Sequence, residues 1–453
     1  MTRALLVAAA LALTGASVDA QAVNPFHGSV PGPADQSAPV TLSFDEAIVR
    51  GLRYNLGVIE SEHVSVEARA SRLGALAALL PTISGRAAQV FERLSLIEVG
   101  LTLPGLPSVT DPFQYQDARI SFLQSIYSGE LRNRHRAAAA SERAASLTTT
   151  DAHDIVVLTV GAAYLQIQAN VARLDSAVAQ LASAQELDRL SADRVRAELA
   201  PEIDALRARV ERQVAEQRVI TTRTDLEKSK ATLTRAIGLP ANHLFDVEPP
   251  ATFRAPTVTE ASAMESARQS RADLASALAR LEAAELAQRA LDAQKQPTIA
   301  VAGDYGVGGD HTAFHQIYTV ALGVSVPIYT GGRIRADVVR AESEVGSRRA
   351  EYDDLKNQVV YDIHVAWLDL TAATTSLTVA ESNRRLADRA LVQAQDRYAN
   401  GVTNYLEVVQ AQESVAQANE NYVTNVYTID LARLTLARAM GRTETRVKEL
   451  FRP

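Results

Sequence analysis

The chain has no cysteine among its 453 residues. That excludes a disulfide framework, thiol catalysis and a lipid-bearing cysteine behind a signal sequence. Lysine is scarce, confined to Lys228, Lys230, Lys295, Lys356 and Lys448, and there is one tryptophan. The net charge is −7, and no basic run is interleaved with aromatics, so nucleic acid is not an expected partner. No segment beyond the first residues reads as a membrane helix, which needs about 20 apolar residues. Catalytic constellations are missing too. The eight histidines are scattered. His311 and His315, near Asp304 and Asp310, have a faint metal look, but a polar loop between strands is the preferred reading. Gly306, Gly308 and Gly309 are not followed by a helix and so do not form a phosphate loop. Neither enzyme activity, cofactor nor metal is expected.

What is present begins with an export signal over residues 1–20. Arg3 supplies the charge, Ala4 to Leu13 the apolar core, and Val18-Asp19-Ala20 the small residues before a cut at Gln21. The exported chain, if it crosses a membrane, must do so with strands. Residues 21–40 read as an irregular arm rich in Pro, Gly, Ser and Asp.

The organising stretch is Tyr318 to Gly332. Tyr318, Val320, Leu322, Val324 and Val326 alternate with Thr319, Ala321, Gly323 and Ser325. Large apolar residues on one face and small or polar ones on the other suit a wall between lipid and water. A similar strand is expected at 115–126, with Ile120 and Phe122 on its apolar face. Partner strands are expected near 82–93 and 298–307, and the strand of the organising stretch itself over 316–328. Ile120, Phe122, Val320, Leu322 and Val324 are the expected lipid-facing residues.

The chain repeats itself. Thr41 to Pro81 corresponds to Thr257 to Pro297 at an offset of 216, and Ala163-Tyr164-Leu165 to Ala366-Trp367-Leu368 at 203. The first repeat covers 41–238, a linker 239–256, the second repeat 257–441 and a tail 442–453. Each repeat predicts a helix, a strand pair, a long helix, a turn and a return helix. In the first, one helix runs from Ser43 to Leu80, a second from Glu130 to about Leu199, and a third from Glu202 to Ile237. Val171, Leu174, Val178 and Leu181 set a heptad seam on the long helix. A helix of about 70 residues is roughly 105 Å long, matched by two shorter helices end to end. Four strands cannot close a barrel, and an open edge is excluded from lipid, so several chains must pool their strands. A soluble coiled-coil adaptor or scaffold in the periplasm is the competing reading.

These features resemble the TolC-like outer-membrane efflux protein family. The likeness is carried by the tandem halves, Pro-Thr-Ile opening each strand pair, and the exits Ile126-Tyr127-Ser128-Gly129 and Ile328-Tyr329-Thr330-Gly331-Gly332. It is also carried by Asp396 to Val409 at the second helical turn. The fold class implied is mainly α with a membrane β-barrel. A homotrimer would join a 12-stranded barrel in the cell outer membrane to a coiled-coil tunnel in the periplasm. The implied function is the exit duct of a tripartite efflux or type I secretion system. Its partners would be an inner-membrane transporter, a periplasmic adaptor (membrane fusion protein) and outer-membrane lipid.

The tips, at Ala200, Pro201, Gly401 and Thr403, would dock the adaptor. The first tip lacks the family's glycine, which puts its geometry in question. Gln410 and Thr403 replace an acidic and a basic residue of the family pattern. Asp204, Tyr398 and Glu407 are the expected periplasmic gate, with the Tyr398 hydroxyl reaching Asp204 on a neighbouring helix pair.

Overall fold

The computed structural model describes residues 24–32, 41–98, 100, 104–105, 107–240, 245–249, 258–310, 313–403 and 405–445. The expected signal peptide lies outside them, as do parts of the arm, linker and tail. In chain order the elements are β1 (Thr41–Leu42), α1 (Phe44–Tyr54), α2 (Leu56–Ala77), β2 (Thr82–Glu92), β3 (Phe113–Tyr127), α3 (Gly129–Arg196) and α4 (Glu202–Ile237). The second half adds β4 (Asp246–Val247), α5 (Glu260–Ser270), α6 (Ala272–Asp292), β5 (Thr298–Gly309), β6 (Phe314–Ser325), α7 (Arg333–Ala399) and α8 (Tyr405–Met440).

The expected helix from Ser43 to Leu80 is two helices. Asn55 interrupts it in extended conformation, accepting from Gly57 N at 2.9 Å and donating from Nδ2 to Phe26 O at 2.8 Å. A helix-capping asparagine offers the backbone a partner that the helix interior does not. The second repeat breaks at Arg271, the position 216 residues later. Arg271 is buried, and its guanidinium binds Asp273 at 2.6 Å and Asp362 at 2.8 Å. The break therefore survives a change of chemistry, from amide cap to ion pair.

Strand lengths also differ from expectation. β6 ends at Ser325, so Val326 lies beyond it. Pro327 has no N–H to donate to a ladder and stops the strand. β3 and β5 are longer than predicted because each finds a partner on both sides.

α3 spans 68 residues, about 102 Å. Against it lie α2 and α6 toward the sheet, and α4 and α8 toward the far end. The lateral order is α2 with α4, then α3, then α6 with α8, then α7. The large sheet is antiparallel in the order β2-β3-β5-β6, with β2 and β6 at its edges. Sheet and helical layer thus run in the same order, and both end at an unpartnered edge on each side.

An 18-residue window of α3 is apolar enough to cross a membrane, contrary to the expectation from sequence. Its hydrophobicity has another cause. Flanked on two sides, α3 buries several stripes, and Val156, Val157, Val160 and Ile167 are fully enclosed. Tyr164 sits among them, with Phe44 edge-on at 5.3 Å, and donates its hydroxyl to Leu42 O at 2.9 Å.

The buried heptad seam is not the expected one. Val178 is exposed, while Asn170, Ala177, Ala184 and Ser191 are buried at strict seven-residue steps. In α7 the same positions are Ala373, Ala380, Ala387 and Ala394, also buried. Small seam residues let neighbouring helices approach closely, while Val171 and Leu174 of the expected seam pack half-buried against the core and Val178 turns outward.

Candidate functional site

Directly opposed residues of an antiparallel pair share a face, so the register sorts the sheet into two surfaces. Ile83, Phe122, Gly303 and Val320 form one rung, and Gly85, Ile120, Tyr305 and Tyr318 the next. Gln124, Val301 and Leu322 continue it, followed by Ile299 and Val324. Ile120, Phe122, Val320, Leu322 and Val324 therefore lie on one face, and Val320 and Leu322 are 77% and 70% exposed.

The opposite face carries the rung Ser84, Ser121, Asp304 and Thr319. Next come Arg86, Arg119, Gly306 and Ile317, then Ala88, Asp117, Gly308 and His315. Over its central rungs it is small or polar apart from Ile317 and Leu123, while toward the other end of the β2–β3 pair Val90, Tyr115 and Phe113 share this face. His311 lies outside the described residues, and Asp304 binds Arg119 Nη1 at 3.4 Å.

At the other end of the molecule the two turns are alike. After α3, Leu199 N donates to Arg194 O at 2.9 Å and Glu198 adopts φ +58°. After α7, Val402 N donates to Arg397 O at 2.8 Å and Gly401 adopts φ +74°. Glu198 stands 203 positions before Gly401 and takes the same left-handed backbone. The turn that closes a helix this way is normally glycine's. The missing glycine at the first tip therefore leaves the turn unchanged in geometry and strained in backbone. Ala200 follows it, and Pro201 opens α4 without a side-chain cap. Leu199 and Val402 project at matching positions, 71% and 67% exposed.

Tyr398 is buried within its own chain. Its ring meets Tyr405 edge-on at 5.7 Å, the Arg194 guanidinium lies 4.7 Å from its centroid, and its hydroxyl is 3.4 Å from Ser191 Oγ. Within this chain the enclosure holds the Tyr398 hydroxyl toward Ser191 of α3 rather than toward Asp204. Tyr405, missed in the sequence, is the tyrosine beside the acids. Burial raises its pKa, and the nearby negative charge of Glu211, Asp188 and Asp204 raises it further. Asp204 is itself buried and has Arg207 at 3.9 Å. Glu407 is tied across its own turn, to Arg397 at 3.2 Å and to the Thr403 hydroxyl. The sequence signal for Tyr405 was its place opening α8, 203 residues after Glu202.

Residues 263–442 match the family described as outer membrane efflux protein. The chain is 29% identical over 124 residues to the outer membrane efflux protein BepC of Brucella suis, covering 27% of each chain. It is 26% identical over 228 residues to the pyoverdine export outer membrane protein OpmQ of Pseudomonas putida, covering 48% of this chain and 46% of that one. It thus spans about a quarter and about half of the length of these two relatives. The outer membrane protein VceC of Vibrio cholerae superimposes with a TM-score of 0.79 at 18% identity, over 88% of this chain and 96% of that one.

Proposed function

Starting from a chain of TolC-like fold whose second half matches the outer membrane efflux protein family, we propose that it is the outer-membrane duct of a tripartite export assembly. One observation carries the reading. The sheet and the helical layer run in the same order and are left open on the same two sides. A sheet edge in hydrocarbon strands its N–H and C=O groups, so β6 of one copy must pair with β2 of the next. The edge helices need the same neighbour. Val210, Val214 and Ile220 on α4, and Val379, Leu386 and Val392 on α7, are exposed large hydrophobics. The flanked helix α8 exposes only Leu406, at its tip, among its described residues. Three copies, as the resemblance implies, would make one barrel continuous with one helical tunnel.

In this assembly the apolar sheet face meets lipid and the polar face lines water. Each tip presents a glycine-like turn with an exposed apolar residue, suited to docking a periplasmic adaptor at Ala200, Pro201, Gly401 and Thr403. The gate is the buried cluster in which Asp204, Tyr398 and Tyr405 lock the helix pairs, with Glu407 bracing the second tip. Cargo would arrive from an inner-membrane transporter. Reconstitution in planar bilayers tests the reading. Wild type should form discrete channels, and Tyr398→Phe with Asp204→Ala should raise their conductance. Absence of channels from a protein that resists alkaline extraction from outer membranes would count against a duct.

A further inference from the structure

We propose that the middle of the barrel wall carries a built charge belt that sets ion preference, in which Arg86 is the cation offered to the permeating solute. This rests on the duct reading above. On the polar face Arg86 and Arg119 are direct partners across β2 and β3. Their surroundings differ. Arg119 is pinned: Asp117 binds it at 2.6 Å and Asp304 at 3.4 Å. Its side chain lies against Gly306 of β5, where an added Cβ would fall 2.8 Å from Arg119 Cγ and 2.1 Å from Ala118 O. Glycine therefore clears the surface over which the guanidinium reaches Asp304. At Gly308 an added Cβ would meet Ile317 at 3.1 Å and Asp117 Oδ2 at 3.6 Å. The glycine-rich run of β5 thus has a role in seating this triad.

Arg86 makes no ion pair among the described residues and is exposed on the edge strand β2. Closing the barrel brings β6 of the next copy beside it. The polar-face residues of β6 are His315, Ile317, Thr319, Ala321, Gly323 and Ser325. None is a carboxylate, so that strand neutralises Arg86 in no register. Each copy then contributes one guanidinium masked by two carboxylates and one left open to water. The Arg119 triad carries one net negative charge per copy and Arg86 one positive, so the exposed Arg86 guanidiniums offset the triad's pull on cations and are the part of the belt that offers anionic groups a partner.

The test is the reversal potential in a potassium chloride gradient across planar bilayers, with each variant first checked for assembly in detergent. Arg86→Gln should shift the potential toward that of potassium. Asp117→Asn with Asp304→Asn should free Arg119 and shift it toward that of chloride. Arg119→Gln leaves two unpaired carboxylates and should shift it toward potassium, which keeps the idea testable if the double variant fails to assemble. Conducting trimers whose reversal potential stays at the wild-type value in both Arg86→Gln and Arg119→Gln would overturn the belt. Failure of wild type to conduct at all would instead overturn the duct reading on which the belt rests.

Discussion

Glu198 and Asp430 show how single residues carry strain and charge in this fold. Glu198 holds a left-handed backbone that costs an L-residue with a Cβ about 1–2 kcal/mol. Glu198→Gly should relieve most of that, and slower hydrogen exchange at Leu199 would register it. Exchange at or above the wild-type rate would show that the turn is not strained. Asp430 is mostly buried on α8, and burial pushes its pKa up to about 6 despite Arg433 at 3.4 Å. The folded chain therefore holds this proton more tightly than the unfolded chain, whose carboxyl titrates near 3.9. The associated stability is complete below about pH 4 and is lost as the pH rises through about 6. Melting curves of Asp430→Asn should show a flatter fall in stability between these limits than wild type. Identical slopes would place the proton elsewhere.

At the scale of elements, the two faces of the sheet are the strongest physical statement. Arg at position 322 puts a charge on the apolar face and should cost about 2–4 kcal/mol near a bilayer midplane. Arg at position 323 lies on the opposite face and should be tolerated, with a fall in conductance. Folding titrations into lipid vesicles compare the two directly, and equal losses would mean that the faces are misassigned. The faces were legible because period-two alternation is clean in β6 and over Ile120 and Phe122 in β3. The long helices and their returns were legible from the absence of proline and from the glycines that end them, Gly238 and Gly441, both at positive φ. The kinks at Asn55 and Arg271 were not, since neither residue breaks a helix by itself and each depends on partners distant in sequence. The heptad seam was partly misplaced, at Val178, for a related reason. Periodicity favours the larger apolar residues, whereas close helix packing buried the alanines. Tyr405 escaped notice because its carboxylate neighbours come from α3 and α4, about two hundred residues away.

For the whole molecule, the account depends on two open edges finding each other. The chain leaves runs of exposed large hydrophobics along its edge helices α4 and α7, a pattern that marks a missing neighbour. Its four-stranded sheet offers β2 and β6 to another copy, and its helical layer offers α2, α4 and α7. Sedimentation equilibrium in mild detergent, with circular dichroism on the same sample, measures the consequence most directly. The predicted result is a single species with the mass of three chains and no folded monomer on dilution. A monodisperse monomer that keeps its full β-signal would contradict the closure on which the duct depends.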